Sequence, residues 1–245
     1  MIMLNMLAGT QPAKGKNMQK QAKAVIFDFN GTMIFDSPIH EAVWMDFIPA
    51  HGGAPLGPGE YDTRISGRTN DRILTDFFGP MSREEIDRLA YEKEAEYRRR
   101  CALDKEAFRL ADGLPEFLDA LKAAGIPMNI ATGSECNNVN FYFQAPQLGL
   151  SRWFDREKIV YDDGTLRGKP DPDSYLRAAR KLGVDCRDCV IFEDSFAGVE
   201  AAHRAGAACV IALGTADRER FDRVGGVDLA VPDYTGWRAF PGLSL

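Results

Sequence analysis

Asp28 and Asn30 stand at the end of the short apolar run Val25-Ile26-Phe27, and Gly31 follows them. Such a run reads as a buried strand, and glycine permits the turn that must come next. In open α/β sheets, ligands bind at the carboxyl ends of strands. A carboxylate placed there is a candidate nucleophile or metal ligand. Complementary polar groups recur further along. Thr132-Gly133-Ser134 follows the apolar run from Met128, Lys169 lies in the loop GKPDPD, and Glu193-Asp194 closes the run from Cys189. Carboxylates at two strand ends can hold a hard cation such as Mg²⁺, which takes few protein oxygens and keeps waters and substrate phosphate. A hydroxyl, backbone amides and a lysine can hold the remaining phosphate oxygens. Singly, these residues also suit a helix cap, a surface turn and a solvated strand end. In this order, each at or beside a strand end, they read as a phosphoryl-transfer site.

The elements that must position them follow two patterns. From Asp36 to about Phe108 the chain is helical, with expected helices over His40–Ala50, Asp71–Phe78 and Ser82–Cys101. Ser82 with Glu85 three residues later forms a capping box. The stretch HGGAPLGPGEYD between the first two is a glycine and proline loop. From Leu110 onward, helices (Gly113–Ala124, Pro172–Leu182, Phe196–Ala205) alternate with short strands (Met128–Thr132, Cys189–Phe192, Cys209–Leu213, Asp228–Val231). That alternation predicts βαβ units and a parallel sheet. The expected fold class is α/β: a three-layer core interrupted after its first strand by a helical insert. The domains are a leader at 1–21, a core at 22–35 and 109–245, and a helical cap at 36–108.

The chain has 245 residues, 45% apolar and 27% charged, which suits a core plus a smaller insertion. A formal charge of −6, with both signs mixed along the chain, gives no footprint for nucleic acid or an anionic membrane. A small-molecule partner is expected, and a monomer or weak dimer. Five cysteines suit a reducing compartment better than a disulfide framework. Cys186-x-x-Cys189 lacks the second pair or histidine cluster of a zinc site and is read as structural thiols. The opening MIMLNMLAGT is too short to span a bilayer and lacks a basic n-region. A cytoplasmic location is expected, and Met18 is a candidate start.

FDFNGT, IATGS, GKPDPD and FEDSFAGVEAA, in that order, resemble the haloacid dehalogenase superfamily, in the subgroup of β-phosphoglucomutase-like phosphatases. The likeness covers roughly residues 22–232. It implies a Rossmann-like core with an inserted helical cap and an Mg²⁺-dependent phosphohydrolase acting on a small phosphorylated metabolite. Asp28 matches the nucleophile that becomes an aspartyl phosphate. Asp28, the Asn30 carbonyl and Asp194 match the Mg²⁺ ligands, and Glu193 matches an acidic position that assists the metal directly or through water. Thr132, the Gly133 amide and Lys169 match the groups that hold the phosphoryl. In the cap, His40 and Trp44 lie at i and i+4 on one helix face. They stand where β-phosphoglucomutase has a histidine and a tryptophan, and Lys93 matches a cap lysine.

One departure matters for mechanism. Most phosphatases of the family carry an aspartate where this chain has Asn30, and that aspartate protonates the leaving oxygen and later activates water. An amide has no titratable proton near neutral pH. Dehalogenases and phosphonatases of the superfamily also lack it, so both remain alternatives. Against phosphonatase, whose cap lysine forms an imine, the loop SGRTND (66–71) holds no lysine. Against a mutase, Asn70 occupies the place of the arginine that grips a second phosphate, with Arg68 near enough to compensate. A phosphometabolite binder without turnover is a further alternative. Retention of Asp28, Lys169 and Asp194 argues against it.

Overall fold

The computed structural model describes residues 21–243. The expected leader, Met18 included, lies outside the described residues except for its last position. Six strands form one parallel sheet: β1 (Ala24–Phe27), β2 (Met128–Glu135), β3 (Val160–Asp162), β4 (Cys189–Glu193), β5 (Cys209–Ala212) and β6 (Leu229–Ala230), in spatial order β3-β2-β1-β4-β5-β6. The order reverses at β1, and such a switch point opens a crevice at the strands' carboxyl ends.

Period-two alternation builds the layers. Val25, Phe27, Val190, Phe192 and Ile211 face one apolar cluster, while Ala24, Ile26, Cys189, Ile191 and Val210 face the other. Helices α4 (Leu114–Ala123) and α5 (Cys136–Gln144) cover the first face. Helices α6 (Asp173–Leu182) and α7 (Phe196–Arg204) cover the second. Both faces are therefore buried, which is why these strands read as continuous apolar runs.

The insert contains α1 (Ser37–Ala50), α2 (Asn70–Phe78) and α3 (Arg83–Leu103) around its own cluster of Trp44, Phe47, Ile48, Ile65, Ile73, Leu74, Ile86 and Leu89. Ile34 bridges Leu110, and the Ala111 amide donates to the Met33 carbonyl at 2.9 Å. The chain thus leaves and re-enters the core at adjacent points. The Ser82–Glu85 capping box forms as expected, Ser82 N donating to Glu85 Oε2 at 3.0 Å and Glu85 N to Ser82 Oγ at 3.3 Å.

Four elements differ from the sequence reading. Helix α1 begins at Ser37, because Pro38 suits a first helical turn. Strand β2 continues to Glu135 with a register shift between Ala131 and Glu135, so Thr132-Gly133-Ser134 lies in an irregular stretch of strand. Its partner β3 and the helix α5 were not foreseen. A three-residue strand offers too short an alternation to detect, and asparagines dilute the apolar pattern of α5. Cys186 and Cys189 are buried free thiols. Among the described residues no helix is long and apolar enough to cross a membrane.

Candidate active site

Register brings the strand-end residues level. Phe27 pairs with Ile130 on one side and Phe192 on the other, so Asp28, Thr132 and Glu193 leave the sheet side by side. Above them, between sheet and cap, lies a cavity of about 80 Å³, several times the ~10–15 Å³ that one water needs. Asp28, Asn30, Thr132, Gly133 and Asp194 line it from the core. His40, Trp44, Arg68, Asn70 and Lys93 line it from the cap. Lys169 and Glu193 do not reach the cavity wall; they lie directly behind Asp28.

Lys169 Nζ donates to Asp28 Oδ1 at 2.5 Å and also pairs with Glu193 Oε1. All three side chains are buried. Burial pushes the Asp28 carboxyl up, the Lys169 charge opposes that, and the fields of Glu193 and Asp36 add to it, leaving its pKa at about 7. Burial disfavours the Lys169 ammonium, but Asp28 and Glu193 outweigh it and hold its proton well above the ordinary lysine range. Asp194 is pushed well above the usual carboxylate range by burial and then by the negative fields of Glu193 and Asp28. Its Oδ1 accepts from Thr32 Oγ1 at 3.1 Å. Gly31, at φ +75°, packs so closely that a Cβ there would overlap the Asp194 carboxylate.

Asp28 and Asp194 therefore share one chamber, where the Asp28 charge disfavours that of Asp194, and they form a donor pair that a dication would complete. Among the described residues no group of three His, Cys, Asp or Glu side chains is set to hold a metal alone. Mg²⁺ does not need such a group, since it takes one or two carboxylates and fills its octahedron with a carbonyl, waters and phosphate.

Asn30 is fixed from both ends of its amide. Nδ2 donates to Asp36 Oδ2 at 2.6 Å, Tyr142 OH at 3.0 Å and Tyr97 OH at 3.2 Å, while Oδ1 accepts from Ser134 Oγ at 2.7 Å. Asp36 is fully buried; it also accepts from Tyr97 OH at 2.5 Å and from the Gly31 amide at 2.9 Å. Burial raises the Asp36 pKa, the donors from Tyr97, Asn30 and Gly31 opposing it.

On the cap side, His40 Nδ1 lies 2.9 Å from Lys93 Nζ, its Nε2 faces Asp36 Oδ2 at 3.4 Å, and its ring stacks on Tyr97. An ammonium can only donate, so Nδ1 accepts and the ring proton belongs on Nε2. Burial, and then the Lys93 charge, lower the His40 pKa to about 3, so the imidazole is neutral at physiological pH. Lys93 is buried and also donates to Glu94 Oε1 at 2.8 Å. Glu94 accepts in addition from Asn70 Nδ2 at 2.9 Å and Asn138 Nδ2 at 2.6 Å. Arg68 pairs with Asp76 at 2.6 Å.

Sequence reasoning missed Asp36, Glu94, Tyr97, Tyr142 and Tyr175. Two signals were present. Lys93, Tyr97 and Cys101 repeat at i+4 on one face of α3, and all three are buried. Asp36 immediately precedes the first helical residue of the cap. In the aromatic stretch Asn137–Phe143, Tyr142 is buried in the core with Phe141 and Phe143 packed against it, and the Tyr142 hydroxyl also reaches Asn30.

Residues 22–206 match the family model described as haloacid dehalogenase-like hydrolase. The Bacillus subtilis protein YhcW, named a phosphatase, is 34% identical over 77% of this chain and 82% of its own length. Hexitol phosphatase A of Escherichia coli is 29% identical over 83% and 89%. The crystal structure of a family IA, variant 3 hydrolase from Entamoeba histolytica is 37% identical, superposes with a TM-score of 0.75, and covers 87% of this chain and 94% of that one.

Proposed function

The chain belongs to the haloacid dehalogenase-like hydrolase family, and from that premise we propose that it is an Mg²⁺-dependent phosphatase working through a phosphoaspartyl intermediate on Asp28. The observation that carries this reading is one cavity lined by Asp28 and Asp194, with the Lys169 ammonium 2.5 Å from Asp28. An anionic nucleophile cannot approach a phosphate dianion without nearby positive charge. Lys169 supplies part of it. Asp28, Asp194 and the Asn30 carbonyl would hold Mg²⁺, which supplies the rest and polarises the phosphoryl oxygen.

Asp28 attacks phosphorus in line and takes the phosphoryl while the leaving oxygen departs; water then attacks the phosphoaspartate and frees Asp28. The Thr132 hydroxyl and the Gly133 amide line the cavity beside Asp28 and bind the equatorial oxygens. The cap keeps bulk water from competing for the phosphoryl. Asn30 holds Ser134 in the phosphate loop and donates no proton. His40 is likewise unsuited to proton transfer, since both ring nitrogens face protein groups and the ring stays neutral. It orients Lys93 and Asp36.

The substrate is a small phosphorylated metabolite. Relatives named for sugar alcohol and sugar phosphates, hexitol phosphatase A and fructose-1-phosphate phosphatase, support a polyhydroxylated leaving group. Trp44 provides a ring face, and Asn70 and Ser66 provide polar edges on that side of the cavity. A phosphate-release screen across sugar, polyol and acyl phosphates with Mg²⁺ tests the reading. Activity is expected to fall to background in EDTA and return with Mg²⁺. Full turnover of a halogenated acid without metal would overturn the proposal in favour of dehalogenation.

A further inference from the structure

Glu193 carries the same charge as Asp28 and Asp194, but it makes different contacts. Its Oε1 accepts from Lys169 Nζ and from Tyr175 OH at 2.7 Å. Its Oε2 accepts from the Asp194 amide at 2.7 Å, the Ser195 amide at 2.8 Å and Ser195 Oγ at 3.0 Å. A carboxylate offers about four lone-pair sites, so these donors saturate it. The side chain is fully buried and absent from the cavity wall. Gly198 of α7 leaves the space it occupies, because a Cβ there would overlap the carboxylate. Burial raises its pKa, but Lys169, the Ser195 amide and Tyr175 prevail and keep it ionised below the usual range.

Tyr175 makes up the rest of the seat. It stands in the first turn of α6, a few residues after Lys169, fully buried, with its hydroxyl on Glu193 and its ring 4.9 Å from Lys169 Nζ. Strand parity places Glu193 on this side: Cys189 and Ile191 face the same cluster as Tyr175. Lys169 has three N–H donors. One is spent on Asp28 and one on Glu193, which leaves the third for an oxygen of a phosphoryl group carried on Asp28.

We propose that Glu193 and Tyr175 are positioning residues that seat Lys169 against Asp28, and that Glu193 stands outside the ligand set of the metal. This rests on the phosphatase reading above. Without the Tyr175 hydroxyl, Glu193 Oε1 loses a neutral donor and the Lys169–Glu193 pair loses its fixed direction. The ammonium then drifts from the phosphoryl site, and a misplacement of about 1 Å can cost on the order of 10²-fold.

The test measures Tyr175→Phe and Glu193→Gln with two readouts. Mn²⁺ binding followed by electron paramagnetic resonance gives metal affinity and the fraction of folded sites, with Asp194→Asn as the control that loses metal. Steady phosphate release, with inorganic phosphate as competitor, gives the state of Lys169. The expected result for Tyr175→Phe is unchanged Mn²⁺ stoichiometry and affinity, kcat lower by about 10- to 100-fold, and a raised inhibition constant for inorganic phosphate. Weakened Mn²⁺ binding in either variant with full folding would make Glu193 a metal ligand and overturn the inference. Unchanged kcat and phosphate inhibition in Tyr175→Phe would overturn it as well. Wild-type protein that binds no Mn²⁺ yet releases phosphate would sink the metal-dependent reading itself, a distinct result from either.

Discussion

Asp28→Asn is expected to lower Mg²⁺-supported phosphate release by on the order of 10³- to 10⁶-fold, the range seen when a covalent nucleophile is removed. The amide oxygen of asparagine is too weak a nucleophile to take a phosphoryl group, and the cavity's other lysine-paired carboxylate, Glu94, is already taken up by Lys93, Asn70 and Asn138. Folding should survive the change. Burial and the neighbouring carboxylates already push the Asp28 pKa up to about 7, so its ionised form is disfavoured in the folded state. Sign follows from linkage: a raised folded-state acid costs stability above its unfolded value of 3.8, increasingly up to about 7. A neutral isostere removes that cost, and thermal unfolding at pH 8 should show a melting temperature no lower than wild type. Loss of activity together with a lowered melting temperature would assign Asp28 a structural role instead.

Asn30→Asp should act in the opposite direction. A positioned general acid is typically worth about 10² to 10⁴ in rate. The substitution should raise turnover of alkyl phosphate esters by that order and leave aryl or acyl phosphates, whose leaving groups need little protonation, nearly unchanged. The wild-type enzyme should accordingly turn over alkyl esters, the proposed polyol phosphates included, more slowly than acyl and aryl phosphates under matched conditions. The structure adds a condition. Asn30 Nδ2 lies 2.6 Å from Asp36 Oδ2, so an aspartate at position 30 meets a second carboxylate. Two carboxylates this close share a proton, and one of the pair titrates far above its usual range. A proton retained near neutral pH is what protonation of an alkoxide requires. The double variant Asn30→Asp/Asp36→Asn removes the repulsion while keeping one carboxyl group. Unchanged alkyl-ester turnover in both variants, with Mn²⁺ still bound, would show that the leaving oxygen is protonated by another route.

Asn30-Gly31 is also a deamidation-prone dipeptide, because glycine offers little hindrance to succinimide closure. In the folded chain the Gly31 amide donates to Asp36 Oδ1 at 2.9 Å and the Asn30 side chain is tied at both ends. Closure needs that nitrogen released and turned toward Cγ. Intact-mass measurement of assayed samples should show activity independent of any deamidated fraction.

The sequence made the core side of the site legible because a parallel sheet converts chain order into adjacency. Once β1, β2 and β4 are recognised as neighbouring parallel strands, Asp28, Thr132, Gly133 and Asp194 must gather at one edge. Gly31 was legible as the turn residue after Asn30, but its close packing against Asp194 was not. What escaped depended on tertiary burial. Lys93 was picked out by the family likeness, but its place in the charged run EKEAEYRRR gave no sign of its burial. Its i+4 relation to Tyr97 and Cys101 was the local signal for that. The Asp36–Tyr97 contact joins positions 61 apart and the Asn30–Tyr142 contact joins positions 112 apart. No local pattern specifies such pairs. Lys169 and Glu193 were found by motif, but their placement behind Asp28, rather than on the cavity wall, follows from Tyr175, which no motif singled out.

The proposed mechanism requires a phosphoryl group carried on Asp28. Its most direct test is acid quenching of the enzyme during turnover of a radiolabelled acyl or aryl phosphate with Mg²⁺, followed by borohydride reduction and peptide mapping. Label is expected on the quenched protein, with a reduced residue at position 28 in the peptide holding Val25-Ile26-Phe27-Asp28 and neither seen in EDTA. Label recovered on another residue, or steady phosphate release with no trapped intermediate and direct incorporation of water into phosphate, would contradict it.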